Sequence, residues 1–219
     1  MSTITRVMYY SKLRDAEAAD AVATWAAGAS AASHWTRSGL RDVALFALGA
    51  HVCLYAEAVG ASDAAAPARS WDWPAEIAEL FEHWPQTDSV AARSAVPMLD
   101  VFHDGVPTDA ESWRGDREVA DRIGSLTFLK PEMFASYVFH HFQLQEERPE
   151  TLNKTYMIGS LGTLLFSYSE SPAVAVNAGA PARADDRTPV DWHGAMEPHF
   201  DPTRRPPGEA IWQRMRRLG

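Results

Sequence analysis

The chain has only one cysteine, Cys53, among its 219 residues, so no disulfide can form within it. This cysteine lies in the apolar run Val52-Cys53-Leu54-Tyr55, which is typical of a strand rather than of a reactive thiol. No apolar stretch approaches the roughly 18 residues that a membrane span requires. The N-terminus also has no apolar signal core. We therefore expect a cytoplasmic protein that has no membrane partner.

Positive charge is also scarce, because 20 Lys and Arg face 29 Asp and Glu and give a formal net charge of -9. Nucleic-acid binding needs concentrated Lys and Arg, so the composition argues against such a partner. The sequence contains no glycine-rich phosphate loop, nucleophile elbow or zinc-protease motif. We expect a small-molecule substrate and no metal, flavin, haem or nucleotide cofactor.

An internal repeat is the clearest feature that is present. Leu48–Glu57 aligns without a gap to Leu161–Glu170, with Leu, Gly, Tyr and Glu coinciding. Both segments have the pattern of a β-hairpin with a glycine in the turn. Each is preceded by a predicted strand and then a predicted helix, at 6–10 and 15–27 in the first copy and at 125–129 and 132–145 in the second. The sequence thus predicts two β-α-β-β units.

We predict an α+β fold in which a tandem duplication of a ferredoxin-like unit forms a pseudo-dimeric α/β barrel. Two open sheets could bury their bare faces against each other, although two separate α+β domains are the alternative. We expect a monomer or a weak homodimer. The predicted segments are a degenerate first repeat at 1–105 with an insertion at 61–73, a linker at 106–123, a second repeat at 124–202 with the candidate site, and a tail at 203–219 with a short helix.

The candidate chemistry lies in the second repeat. Tyr137 and His141 are four residues apart on the predicted helix, so they share one face. Histidine suits proton transfer near neutral pH, and a neighbouring tyrosine can donate or accept a hydrogen bond. A packed core histidine on an aromatic-rich helix is the alternative interpretation. A metal site could also assemble from His141, Glu147 and His193, which are distant in the sequence.

The segment from Lys130 to Glu147 resembles the corresponding pattern of L-rhamnose mutarotases, which belong to the dimeric α/β-barrel superfamily. Tyr137, His141 and Glu147 fall on matching positions, while Gln145-Glu146 replaces a Trp-Pro pair. The hairpin strands and the late segment Asp191–Met196 are also similar, with Trp192 on a family tryptophan and His193 in place of a second one. The resemblance extends over roughly 126–202.

This resemblance implies a catalytic pair, Tyr137 and His141, with Trp192 lining the substrate pocket. We expect Tyr156, His193 and Glu147 to complete the substrate-binding set. The first copy offers only small or aliphatic residues at the positions of the pair. These are Ala18 and Val22, or Thr24 and Gly28, depending on the alignment.

The leading functional expectation is a cofactor-independent isomerase of mutarotase or epimerase type that acts on a small polar or sugar-like substrate. A polyketide-type cyclase or a cofactor-free monooxygenase on an aromatic substrate is the first alternative, because one fold can host several chemistries. A non-catalytic ligand-binding barrel is the second alternative.

Overall fold

The computed structural model describes residues 3–60, 71–84, 92–179 and 185–219. The chain forms two compact units, each containing one antiparallel five-stranded sheet. The first unit comprises Met1–Met98, Pro107–Arg117 and Met215–Gly219, and the second comprises Leu99–Val106 and Glu118–Arg214. The expected linker at 106–123 is therefore not a separate segment, because each unit takes part of it. The α+β class is confirmed.

The strands, in chain order, are β1 (Ile4–Lys12), β2 (Leu40–Leu48), β3 (His51–Val59), β4 (Val96–Pro97), β5 (Leu99–His103), β6 (Asp121–Phe128), β7 (Met157–Leu161), β8 (Leu164–Ser171), β9 (Gln213–Arg214) and β10 (Arg216–Arg217). The α-helices are α1 (Ala19–Ala26), α2 (Ala29–Arg37), α3 (Ala75–Ala78), α4 (Ala110–Arg114), α5 (Phe134–Glu147) and α6 (Trp192–Met196). Short 3₁₀ helices occupy Ala16–Ala18, Pro131–Met133, Glu197–His199 and Pro202–Arg204. No helix in the described part of the chain is long and apolar enough to cross a membrane.

The strand order is β10-β2-β3-β1-β4 in the first sheet and β5-β7-β8-β6-β9 in the second. Each sheet therefore contains a β-hairpin whose second strand pairs with the strand that precedes the helical segment. The two hairpins close with the same two-residue turn, between Leu48 and His51 and between Leu161 and Leu164. The first turn residue is Gly49 or Gly162, with φ of 55° and 56° respectively. Glycine adopts this conformation without the steric cost of a Cβ atom, and the predicted hairpins are confirmed.

The helical segment of the first unit is broken, whereas the sequence predicted one helix over 15–27. A 3₁₀ turn precedes α1, and Gly28 is the N-cap of α2 as well as the residue after the C-cap of α1. Glycine has low helix propensity, and its extended backbone at ψ of 162° redirects the chain. The second helix was not predicted from the sequence.

Tryptophans fill much of the core of the first unit. Trp73 stacks on Phe81 with ring centroids 4.5 Å apart, and its Nε1 donates to Ser11 Oγ at 2.7 Å. Trp71 packs against Tyr9 with centroids 4.9 Å apart. Both tryptophans belong to the insertion predicted at 61–73, of which 61–70 lie outside the described residues. Its described end is thus part of the core rather than a surface loop.

In the second unit, helix α5 places Tyr137, His141 and Leu144 on its buried face. Their spacing of four and three residues is the helical repeat, which explains why they share a surface. Tyr137 and Leu144 belong to an apolar core that includes residues of β5, β7 and β8. The other buried members of this core are Val101, Phe102, Leu129, Ile158, Leu165, Met196 and Phe200.

The helix predicted in the tail from about Glu209 is wrong. The tail forms β9 and β10, of which β9 pairs with β6 and β10 pairs with β2. Pro206, Pro207 and Gly208 precede this segment and do not favour a helix. Pairing along a sheet edge satisfies the backbone groups that a helix would otherwise satisfy internally.

Candidate functional site

A cavity of about 770 Å³ opens in the second unit beside helix α5. Its volume lies within the range of about 300–1,000 Å³ that is usual for small-molecule sites. Five of the six predicted site residues line it, namely Tyr137, His141, Tyr156, Trp192 and His193. Its wall otherwise consists of Phe102, Leu144, Arg148, Thr151, Leu152, Thr188, Pro189, Val190, Met196, Glu197, Phe200, Ala210, Ile211 and Trp212.

His141 is buried and oriented by its own helix. Its Nδ1 lies 2.9 Å from the backbone oxygen of Tyr137, and a carbonyl oxygen can only accept. Nδ1 therefore carries the proton in the neutral ring, and the lone pair is on Nε2. Burial lowers the pKa of His141 to about 4, despite the opposing hydrogen bond to Tyr137. The imidazole is thus neutral at pH 7 and has an acceptor nitrogen in a cavity-lining ring.

Tyr137 supplies the hydroxyl of the pair. Its ring lies 3.9 Å from that of His141, between centroids, with an interplanar angle of 32°. Burial raises the pKa of Tyr137 well above its ordinary value, and Tyr156 adds to the effect. The hydroxyl therefore remains protonated and can donate a hydrogen bond. Within the described ranges this hydroxyl has no hydrogen-bond partner, so a ligand in the cavity could accept a hydrogen bond from it.

Tyr156 and Trp192 flank the pair from two sides. Burial raises the pKa of Tyr156 to about 12, and the nearby Ser167 side chain opposes this shift. The Trp192 ring meets the His141 ring edge-on, with centroids 5.0 Å apart and an interplanar angle of 75°. His193 follows at the rim, where it is exposed. The structure thus brings the expected catalytic pair together with three of the four expected binding residues.

Glu147 is the exception, because it does not line the cavity. Its Oε2 accepts hydrogen bonds from the backbone nitrogens of Arg187 and Thr188, at 2.9 Å and 2.7 Å, and from Thr188 Oγ1 at 2.6 Å. Its Oε1 accepts from Gln143 Nε2 at 3.0 Å. These partners are all protein groups, so the carboxylate is directed at the chain rather than at the cavity.

The tail and the strand β5 supply wall residues that the sequence did not indicate. Ile211 and Trp212 line the cavity from the tail, far from helix α5 in sequence. Phe102 comes from β5, and its ring lies 5.6 Å from that of His141 between centroids. No local motif marks these residues, since only the pairing of the strands places them at the site.

The metal site weighed from the sequence does not form among the described residues, where no three His, Cys, Asp or Glu side chains converge in a way that could hold an ion. His141, Glu147 and His193 in particular do not converge. The sulfur of Cys53 is buried in the first unit.

The first unit presents no counterpart of the pair at the aligned positions. Val22 is fully buried in its apolar core, and Ala18 packs at the edge of that core. A smaller cavity of about 250 Å³ in this unit is lined by Ala26, Trp35, Arg41, Asp42, Val43, Leu45 and Gly219, without a histidine.

Comparisons with protein-family models, with curated proteins and with solved structures found no match for the chain. The chemistry of the site therefore follows from its geometry alone. That geometry comprises a neutral base with a fixed tautomer, a hydroxyl donor beside it, and a largely apolar wall that surrounds both. Such a pair can remove a proton from a bound molecule and stabilise the negative charge that develops on a nearby oxygen.

Proposed function

We propose that the chain is a cofactor-independent isomerase in which His141 and Tyr137 move a proton on a small oxygen-bearing substrate. The observation that carries the proposal is the hydrogen bond from His141 Nδ1 to the Tyr137 carbonyl. It leaves Nε2 as the basic nitrogen of a ring that lines the cavity. A base of this kind acts only if its lone pair faces the substrate.

In the proposed step, His141 Nε2 takes a proton from a hydroxyl or from a carbon next to a carbonyl. The Tyr137 hydroxyl donates a hydrogen bond to the substrate oxygen on which negative charge accumulates. The imidazolium then returns the proton to a different atom of the substrate, so no proton or electron is gained or lost overall. The Tyr137 carbonyl accepts a hydrogen bond from the ring throughout and stabilises its cationic form.

A second candidate is a cyclase or cofactor-free monooxygenase acting on an aromatic substrate, and the cavity wall favours it over a sugar-specific enzyme. The hydroxyls of Thr151 and Thr188 in that wall already donate to protein oxygens, at 2.9 Å and 2.6 Å. Burying a sugar leaves many hydroxyls that need partners, and each unsatisfied one costs about 1–3 kcal/mol. A flat apolar body with one or two oxygens suits this wall better.

Membership of the dimeric α/β-barrel superfamily, by tandem duplication of a ferredoxin-like unit closed into a pseudo-dimeric barrel, is part of the proposal. The shared strand order of the two sheets supports it, as does the repeat of Leu48–Glu57 in Leu161–Glu170. The proposal also includes the similarity of the second half to L-rhamnose mutarotases. A non-catalytic ligand-binding protein is the outcome that the following experiment would reveal.

The test compares two probes. Exchange of the acidic C1 protons of 2-tetralone in D₂O is followed by ¹H NMR, and interconversion of the anomers of L-rhamnose is followed by saturation transfer. We expect His141→Gln to lower the rate on the accepted probe by about 10²- to 10⁴-fold, the usual contribution of an acid–base group. The control is His83→Gln, because His83 is exposed and lies in the first unit.

The proposal also has a test that needs no substrate. ¹⁵N NMR of the histidine rings should find His141 with a protonated Nδ1 and an unprotonated Nε2 at pH 7. The reverse tautomer would remove the base from the proposed mechanism. Acceptance of tetralone alone would favour the second candidate, and acceptance of rhamnose alone would favour a mutarotase.

A further inference from the structure

The segment 186–193 covers one side of the cavity, and we refer to it as the strap. Thr188, Pro189, Val190, Trp192 and His193 all line the cavity from this segment. Val190 is 99% exposed, so the strap faces the cavity on one side and solvent on the other. The first half of the strap lies in neither a strand nor a helix, since α6 begins only at Trp192. Side-chain contacts must therefore determine where the strap lies.

Those contacts come chiefly from the C-terminal end of helix α5. Glu147 Oε2 accepts three hydrogen bonds from the strap: two from the backbone nitrogens of Arg187 and Thr188, and one from the Thr188 hydroxyl. Asp186, itself in the strap, adds a second attachment, because its Oδ2 accepts from Arg148 Nε at 2.7 Å. Its Oδ1 shares the Thr188 nitrogen with Glu147, at 2.9 Å, within the strap.

The attachment point is only four residues before Trp192, whose ring packs on His141. Only Pro189, Val190 and Asp191 lie between Thr188 and Trp192, and the fixed φ of Pro189 limits how freely the two ends of this segment can move. Glu147 and His141 are less than two helical turns apart on α5, so one rigid helix sets both the base and the attachment of the strap.

We propose that Glu147 is a positioning residue, which fastens the strap so that Trp192 closes the cavity wall against His141. The role differs from the substrate-binding role expected from the sequence, because the carboxylate binds the strap and does not line the cavity. The inference rests on the proposed function only for its kinetic consequence. The structural consequence is measurable on the free protein.

The first test follows the strap without any ligand. Amide hydrogen exchange at Arg187 should accelerate by tenfold or more in Glu147→Ala, since this amide loses its acceptor, whereas the Thr188 amide keeps Asp186 Oδ1 and should accelerate less. Fluorine NMR of protein labelled with 5-fluorotryptophan should show a shifted or broadened Trp192 resonance. The resonance of Trp212, which lines the cavity from the tail, should stay unchanged and serves as the internal control. Unchanged exchange and an unchanged Trp192 signal would overturn the proposal.

Matched variants separate positioning from general loss of stability. Thr188→Val removes only the hydroxyl bond to Glu147 and should change the Trp192 signal less than Glu147→Ala does. Thr188→Ser keeps the hydroxyl and should leave the Trp192 signal as it is in the wild type. Glu147→Gln keeps the shape and one acceptor oxygen, so its effect should fall between those of the wild type and Glu147→Ala. Equal effects of all these variants, in parallel with their loss of thermal stability, would indicate a merely structural role and contradict the proposal.

The kinetic test uses the exchange of 2-tetralone. We expect Glu147→Ala to raise KM about tenfold, equivalent to about 1.4 kcal/mol of binding, while kcat per folded molecule falls less. A structural role would lower the amount of active enzyme and leave KM unchanged, which would count against positioning. Failure of the proposed function would instead appear as turnover that does not depend on His141. The amide hydrogen exchange and the fluorine NMR measurements would still decide the role of Glu147.

Discussion

The two units of the chain have the same order of principal strands but different interiors. In the first, Trp71 and Trp73 return to the core after the hairpin and are 3% and 6% exposed. In the second, the chain after the hairpin carries Trp192, which remains partly exposed beside a cavity of about 770 Å³. The same arrangement of strands can therefore be filled or hollow, depending on whether the segments around it supply buried aromatic rings.

The difference also concerns the histidines. His34 in the first unit accepts a hydrogen bond from Trp71 Nε1 at 3.0 Å, so its Nε2 is occupied by the core. The corresponding nitrogen of His141 has no such bond within the described ranges, and its Nδ1 is the atom held by the protein. A histidine that uses its acceptor nitrogen for packing cannot act as a base, whereas one that is held through its donor nitrogen can.

The largest expected effect tests the filled interior against the hollow one. Trp73→Ala should destabilise the protein by about 3–5 kcal/mol, because it removes a buried ring together with the hydrogen bond to Ser11. Trp192→Ala should cost about 1 kcal/mol or less, since its ring already borders open space. Urea denaturation of the two variants measures both values. Similar losses would show that the second interior is also closely packed.

A second prediction concerns the pH dependence of stability that His141 gives to the second unit. Its pKa is about 4 in the folded protein and about 6.5 in the unfolded chain. Below pH 6.5 the unfolded state binds a proton that the folded state does not, so stability falls as the pH is lowered towards 4. The loss should reach about 3 kcal/mol, at roughly 1.4 kcal/mol for each pH unit.

Urea denaturation between pH 7 and pH 4 measures this loss, and His141→Gln should remove it. Burial also lowers the pKa values of His34 and His199, so only the difference between the variant and the wild type isolates His141. The exposed His83 provides a control for the substitution itself, because His83→Gln should change the free energy of unfolding at pH 7 by no more than about 0.5 kcal/mol. An unchanged pH dependence in His141→Gln would show that the ring is not held neutral.

A third prediction concerns a buried carboxylate of the first unit. Glu57 accepts hydrogen bonds from Arg41 Nε and Trp113 Nε1, both at 3.1 Å, and forms an ion pair with Arg114. Burial raises the pKa of Glu57, which the arginines oppose. Glu57→Gln should cost about 2 kcal/mol, less than for a fully buried pair, because both arginines retain some contact with water.

Thermal and urea denaturation at two salt concentrations test this expectation. The exposed Glu79 offers a matched control, since Glu79→Gln should change the free energy of unfolding by no more than about 0.5 kcal/mol. A loss as small for Glu57→Gln as for the control would mean that the buried cluster contributes nothing to the first unit.

The smallest expected effect is one that the units should share. Gly49 and Gly162 have nearly identical positive φ angles and open space around the position of a Cβ atom. Replacing either by alanine should therefore cost about 1 kcal/mol, from backbone strain alone. Denaturation of Gly49→Ala and Gly162→Ala measures the two losses. Unequal losses would indicate that the two turns, although alike in sequence and geometry, are under different constraints.

Much of the fold follows from local patterns in the sequence. The gapless match of Leu48–Glu57 to Leu161–Glu170 predicted two hairpins, and both form. The helical spacing of Tyr137 and His141 predicted a shared face, and both are buried on it. The tail was predicted incorrectly because its two short strands depend on pairing with β6 and β2, which are distant in sequence. Propensity over a few residues contains no information about such partners.

The sequence by itself determined the class of the fold, the two hairpins and the one helix that carries Tyr137 and His141 on a shared face, because hydrophobic periodicity and glycine positions are local properties of the chain. Only the tertiary structure decided which interior is hollow, that Nε2 of His34 is occupied by the core, and that Glu147 faces the strap rather than the cavity. Each of these depends on contacts between residues about 40 or more positions apart. Such contacts depend on how the elements pack and pair, and no local pattern records that.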